Sequence, residues 1–129
     1  MASDMGTFRI EIDVSHIAGR PARRRLTNVL VDTGAELSVF PAALLDELGV
    51  ERLKQVRFRQ ADGSSFSRWT GAVLIYAVGT LTADEVVFGE PGDIVLLGAH
   101  SLEGLNVRVE PITKQLVDAG PMTAGALAA

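Results

Sequence analysis

Phe8, Ile10, Ile12 and Val14 alternate with Arg9, Glu11, Asp13 and Ser15. A period of two belongs to a strand that buries one face and wets the other, and a helix of 3.6-residue period cannot accommodate it. Gly19-Arg20-Pro21 is a turn signal, and Arg24 to Asp32 reads as a second strand ending in the apolar run Val29-Leu30-Val31. Phe8–Val31 is therefore expected to be a β-hairpin that delivers Asp32 at the end of a buried strand.

The same theme continues in short segments. Pro41 to Gly49, with leucines at 44, 45 and 48, predicts a helix of about two turns. Val56 and Phe58 alternate with Arg57 and Arg59, Ala61-Asp62-Gly63-Ser64-Ser65 is a turn, and Phe66–Tyr76 resumes the β pattern. Residues 55–77 thus predict a hairpin with an exposed tip. Leu81–Phe88 is a further strand, Glu90-Pro91-Gly92 a break, and Asp93–Leu97 a short strand running into Gly98. Ala99–Gly104 predicts a helical turn or two, Asn106–Val117 two short strands pivoting near Pro111, and Pro121–Ala129 a frayed tail. The expected architecture is a small, mostly antiparallel all-β domain with one or two short helices, over residues 1–118, with a flexible tail at 119–129.

Composition narrows the function. At 129 residues the chain is one domain, large enough for a core, and 47% apolar against 22% charged residues excludes wholesale disorder. A net charge of −4 excludes the basic footprint of a general nucleic-acid binder. Residues 1–65 carry nine acidic and nine basic side chains, and residues 66–129 seven and three; Arg20, Arg23, Arg24 and Arg25 read as a solvated hairpin tip. With no cysteine there is no disulfide, thiolate zinc site or cysteine nucleophile, and His16 and His100 stand in no ligand spacing. Met1 to Gly6 lacks the pattern of a secretory signal, and no apolar stretch approaches the ~20 residues that span a bilayer. The expected location is the cytoplasm, and the starting methionine favours a free-standing protein.

The chemistry concentrates in Val29-Leu30-Val31-Asp32-Thr33-Gly34-Ala35. A carboxylate directly after three buried aliphatics is costly unless it is used or well hydrogen-bonded. Thr33 supplies a hydroxyl and Gly34 permits a tight turn. The plain structural alternative is an aspartate that caps its own turn.

Asp32-Thr33-Gly34-Ala35 after an aliphatic strand resembles the active-site motif of retroviral-type aspartic proteases, the retropepsins. Ala61-Asp62-Gly63-Ser64 resembles their flap tip, and Leu96-Leu97-Gly98 their second element, in the same order and spacing over roughly residues 8–117. The resemblance implies a closed antiparallel β-barrel of the acid-protease type, in a single domain. It also implies an endopeptidase in which two aspartates share one proton and hold one water, with no metal or cofactor. Asp13 and Asp93 are the rivals for a second carboxylate, but neither precedes Thr-Gly or Ser-Gly. The counterpart of Asp32 is then expected from a second copy, in a homodimer acting on a peptide or protein, with an optimum on the acid side.

By the same resemblance Thr33 braces the aspartates across the dimer axis, Gly34 presents its carbonyl to substrate, and Ala35 completes the motif. Glu36 stands where retroviral enzymes have an aspartate that grips substrate backbone. Ala99, followed by His100, stands where they have an arginine, so an ion pair there is expected to be absent or replaced. His100 itself reads as a surface or helix-cap residue. Ala61, Asp62, Gly63 and Ser64 would contact substrate, and Trp69 would either close over it or pack. Two other functions compete with this one. A dimeric binding domain that kept the fold and lost turnover is the alternative. An aspartyl-phosphate enzyme is excluded, because no lysine separates Asp32 from Thr33 and the large α/β framework is missing.

Overall fold

The structure, a computed structural model, describes residues 8–128. The Met1–Gly6 segment read above for a leader and Ala129 at the end of the expected tail lie outside the described residues. The elements in order are β1 (Phe8–His16), β2 (Arg23–Val31), β3 (Ser38–Pro41), α1 (Ala42–Glu47), β4 (Lys54–Arg59), β5 (Ser65–Ala77), β6 (Thr80–Gly89), β7 (Leu96–Leu97), α2 (Ala99–Leu105), β8 (Val107–Glu110) and β9 (Gln115–Asp118), followed by a 3-10 turn, Gly125–Ala128. No helix among them is long and apolar enough to cross a membrane.

Seven strands form one sheet in the order β1-β2-β7-β3-β6-β5-β4, and a further pairing of β1 with β5 closes it into a ring. β8 and β9 form a separate two-stranded sheet. The all-β class with two short helices is as expected. Most pairings are antiparallel, but β2 runs parallel to β7 and β3 parallel to β6. Parallel neighbours need crossover connections, and here these carry the hairpins and helices that surround the ring.

Inside the ring lie Val29, Val31, Phe40, Ile75, Val86, Phe88 and Leu97, all essentially without solvent exposure. Each such side chain contributes roughly 1.5–3 kcal/mol by leaving water. β2 enters this core only at its end. Its pairing with β1 steps from Leu26 opposite Ile12 to Val29 opposite Ile10, so β2 carries one extra residue, and Asn28 there is left-handed at φ 63. A bulge of this kind bends the strand and re-aims its side chains. Before it β2 is mostly exposed; after it Val29 and Val31 are buried, and the strand arrives at Asp32 through the core.

β5 is long enough to serve two purposes. Its second half pairs with β6 and β1 inside the ring, while residues 65–69 pair only with β4 on the outer side. The β4–β5 hairpin therefore projects from the ring, with Arg59 opposite Ser65 at its tip, as expected for residues 55–77. The segment expected as a strand over Asp93–Leu97 is regular only at Leu96–Leu97. Asp93 is drawn out of any ladder by its own bonds to Arg68 and to the Glu90 N–H.

Candidate active site

Asp32 is held by backbone first. β7 lies parallel to the end of β2, Leu96 beside Leu30 and Leu97 beside Val31. The Asp32 N–H donates to the Leu97 carbonyl at 3.0 Å. The chain then reverses: Ala35 N–H donates to the Asp32 carbonyl at 3.2 Å, and Gly34 N–H donates to Asp32 Oδ1 at 2.9 Å. A Cβ on Gly34 would stand 3.2 Å from Asp32 Oδ1, tighter than ordinary contact, so the smallest residue fits best here. The turn-capping alternative is thus realised by one carboxylate oxygen only. Oδ2 has no protein partner among the described residues, and Asp32 is half-buried while Thr33 and Gly34 are exposed.

The first turn of α2 secures the next residues. Ala99 N–H donates to the Ala35 carbonyl at 2.7 Å and His100 N–H to the Glu36 carbonyl at 3.0 Å. Gly98 permits this approach, since a Cβ there would lie 2.8 Å from the Leu37 carbonyl and 2.9 Å from that of Ala35. The structure thereby brings Asp32, Thr33, Gly34 and Ala35 together with Leu96, Leu97 and Gly98. The Glu36 side chain is exposed and joins no ion pair among the described residues.

The hairpin residues stand apart. Ala61, Asp62, Gly63 and Ser64 are exposed: Ser64 donates through its N–H and Oγ to Asp62 Oδ1 at 2.9 and 2.6 Å, Gly63 N–H donates to the Gln60 carbonyl at 3.0 Å, and Gly63 adopts φ +88. Those bonds from Ser64 hold the Asp62 carboxyl below its ordinary value. Trp69, opposite Gln55, shares the outward face with Arg57 and is 41% exposed. The other face carries Phe58 stacked on Phe66 at 5.5 Å and Arg68, whose guanidinium lies 4.7 Å from the Phe66 ring centre. Arg68 reaches Asp93 with two bonds, 2.7 and 2.9 Å, tying the hairpin to the segment that leads into β7.

This pair is a latch whose strength depends on pH. Arg68, with help from the Glu90 N–H, holds the Asp93 carboxyl below the usual carboxylate range. Its contribution is present above that ordinary value and is lost as pH falls through the lowered one. Arg68→Ala is expected to lower hydrogen-exchange protection of the β4–β5 amides about tenfold at pH 7, at the low end for a charge-assisted pair. Protection in the wild type should fall likewise in strong acid. Unchanged protection in the variant would show that the hairpin is held by other contacts.

Neither rival carboxylate is free. Asp93 is bound as described, and Asp13 accepts from Arg25 Nε at 3.1 Å. The arginine-rich hairpin tip is solvated as expected, with Arg24 paired to Glu47. A groove of about 460 Å³ between β1, β2, β5 and β6 includes Asp13, Arg23, Arg25 and Tyr76 in its walls, and Asp32 lies outside it. Its charges are matched within the wall, with Arg23 stacked over Tyr76 at 3.7 Å, so it offers no reactive group. Asp32 lies instead on an open turn whose Thr33 and Gly34 are exposed.

One carboxylate escaped the sequence reading. Asp84 is buried in β6, and His100, exposed as expected of a surface residue, places Nδ1 2.6 Å from Asp84 Oδ1. This contact lies one residue beyond Ala99, the position where the resemblance gives retroviral enzymes an arginine. The signal was available: Asp84 shares strand parity with Val86 and Phe88, so it points with them into the core.

A family model described as gag-polyprotein putative aspartyl protease matches residues 17–104, more than half of the chain. A comparison with curated proteins gives no match.

Proposed function

Because the chain belongs to this retropepsin-like family of gag-polyprotein aspartyl proteases, we propose that it is an aspartic endopeptidase whose centre is completed by the Asp32 of a second copy. The observation that carries the reading is the state of Asp32: one oxygen is fixed by Gly34 N–H, the other is without a protein partner, and the turn that bears it is exposed. A half-buried carboxylate at the end of an aliphatic strand is an energetic cost that a purely structural residue would have no reason to carry.

In the proposed dimer the two Asp32 carboxyls face one another across a two-fold axis. At a separation of about 3 Å they cannot both ionise, so they share one proton, as is general for aspartic proteases. The ionised carboxylate takes a proton from the water between them as the water oxygen bonds to the scissile carbonyl carbon. The protonated carboxyl gives its proton to the carbonyl oxygen. The resulting gem-diol collapses when a proton passes to the amide nitrogen and the C–N bond breaks, releasing an acid and an amine. Thr33 braces the pair, Gly34 and Glu36 contact the substrate backbone, and the 61–64 tip with Trp69 covers it. Leu96, Leu97 and Gly98 act indirectly, by holding the turn. A peptide or protein is the substrate, an acid-side optimum is expected, and a chain that forms no disulfide fits the cytoplasm.

The solution mass at pH 5 and pH 7, read across micromolar concentrations, tests this together with cleavage of a peptide library. A species near twice 13.7 kDa with cleavage in its presence is expected. A monomer at every concentration, with no peptide cut, would transfer the chain to the alternative of a binding domain that keeps the fold without turnover.

A further inference from the structure

Asp84 is the most enclosed carboxylate near the Asp32 turn, with its side chain only 3% exposed. Its Oδ1 accepts from the Glu85 N–H at 2.8 Å and lies 2.6 Å from His100 Nδ1; its Oδ2 accepts from Ser101 Oγ at 2.6 Å. Ser101 Oγ stands 2.5 Å from Ser38 Oγ, which accepts from the Gly98 N–H at 2.9 Å. Counting protons fixes the direction of this chain. Ser101 has one hydroxyl proton and gives it to Asp84, so Ser38 gives its own to Ser101. The network therefore runs from the Gly98 backbone through two buried serines to Asp84, where His100 joins from the other side.

Every end of this network touches the catalytic turn. Gly98 packs on the carbonyls of Ala35 and Leu37, and the N–H groups of Ala99 and His100 donate to those of Ala35 and Glu36. A buried carboxylate needs a counter-charge as well as hydrogen bonds. Among the described residues the one ion pair of Asp84 is with His100, and it is charged only while the ring is protonated.

We propose that Asp84 and His100 form a titratable brace for the catalytic turn: their ion pair holds the first turn of α2 against residues 35–37 and so fixes the position of Asp32, on the reading of Asp32 as half of a catalytic dyad. Both are positioning residues. The groups that face His100 act in one direction. From β6 these are Asp84 and Glu85, and from α2 itself Glu103. β3 offers only uncharged side chains, and on β8 Arg108 and Glu110 are paired with each other at 3.6 Å. The hydrogen bond to Asp84, followed by attraction to these carboxylates, raises the His100 ring above its ordinary value. The brace is thus complete below about pH 6.5 and weakens as pH rises through the raised value. The neutral ring still donates a hydrogen bond, so the turn loosens and does not come free.

The test is a pH titration of the intact chain from 5 to 9, following the His100 ring protons and the amide resonances of Gly34, Gly98 and Ala99. The amides should move with the midpoint of the ring. His100→Gln should lose that midpoint, and His100→Arg should hold the low-pH positions throughout. On a cleaved peptide, wild-type kcat should show a decline of about fivefold centred on the ring midpoint with KM little changed, in addition to the fall caused by the dyad losing its shared proton, and the arginine variant should keep the second fall and lack the first. Amides that ignore the ring, or that keep the midpoint in His100→Gln, would overturn the brace. The resonances need no turnover. A wild type that cuts nothing while its amides follow the ring would remove the protease reading alone, and uncoupled amides would remove the brace even in an active enzyme.

Discussion

Asp32→Asn is expected to lower kcat/KM on any peptide this chain cleaves by about 10³-fold, while the melting temperature and solution mass stay close to wild type. The magnitude follows from the role assigned. Acid–base participation in such a step contributes about 10²–10⁴-fold, and the asparagine amide can neither accept the proton of the attacking water nor share one with its counterpart. The fold should tolerate it because the contacts that place Asp32 are insensitive to the change. The Leu97 carbonyl accepts from the backbone N–H, and the asparagine oxygen can accept from Gly34 N–H as Oδ1 does. The kinetic constants are to be measured beside a thermal melt. Residual activity within tenfold of wild type would mean that another group does the chemistry.

Gly98→Ala should produce the largest loss of stability of any single added methyl near the site, about 3 kcal/mol. The new Cβ would stand 2.8 Å from the carbonyl carbon and oxygen of Leu37 and 2.9 Å from the Ala35 oxygen. These are backbone atoms, which cannot rotate away as a side-chain end can. They are also fixed on both sides, by Asp32 N–H on Leu97 and by Ala99 N–H on Ala35. Relief therefore has to come from moving α2 or the catalytic turn, and activity should fall with stability. Gly63→Ala is the control: its Cβ meets nothing within 4 Å, and only the left-handed φ of +88 opposes it, at a cost of about 1 kcal/mol. Urea midpoints read both. A Gly98→Ala midpoint no lower than that of Gly63→Ala would show that α2 is not packed against the turn as described.

Much of this was legible in the chain. The alternation of Phe8–Val14, the aliphatics before Asp32 and the glycine-tipped turn at 61–65 are local signals, and they predicted the β1–β2 hairpin, the buried approach to Asp32 and the projecting β4–β5 hairpin. What escaped depends on partners distant in sequence. Nothing around Leu96 announces that it pairs parallel with Leu30, or that β7 is only two residues long. The bulge at Asn28 was missed because Arg24–Asp32 reads as one even strand, although a left-handed asparagine is a common device for such a kink. Asp84 was missed for a different reason. Its parity with Val86 and Phe88 was visible, but among strand carboxylates only Asp13 and Asp93 were compared with Asp32. The proposed opposing half of the Asp32 centre lies beyond what one copy of the sequence displays.

Mixing wild-type chain with Asp32→Asn chain at constant total concentration tests that missing half most directly. If each centre needs an Asp32 from both copies, activity after subunit exchange follows the square of the wild-type fraction, so an equal mixture retains about a quarter of the starting rate. An equal mixture that retains about half would mean that each chain works alone, and would contradict a shared Asp32 centre.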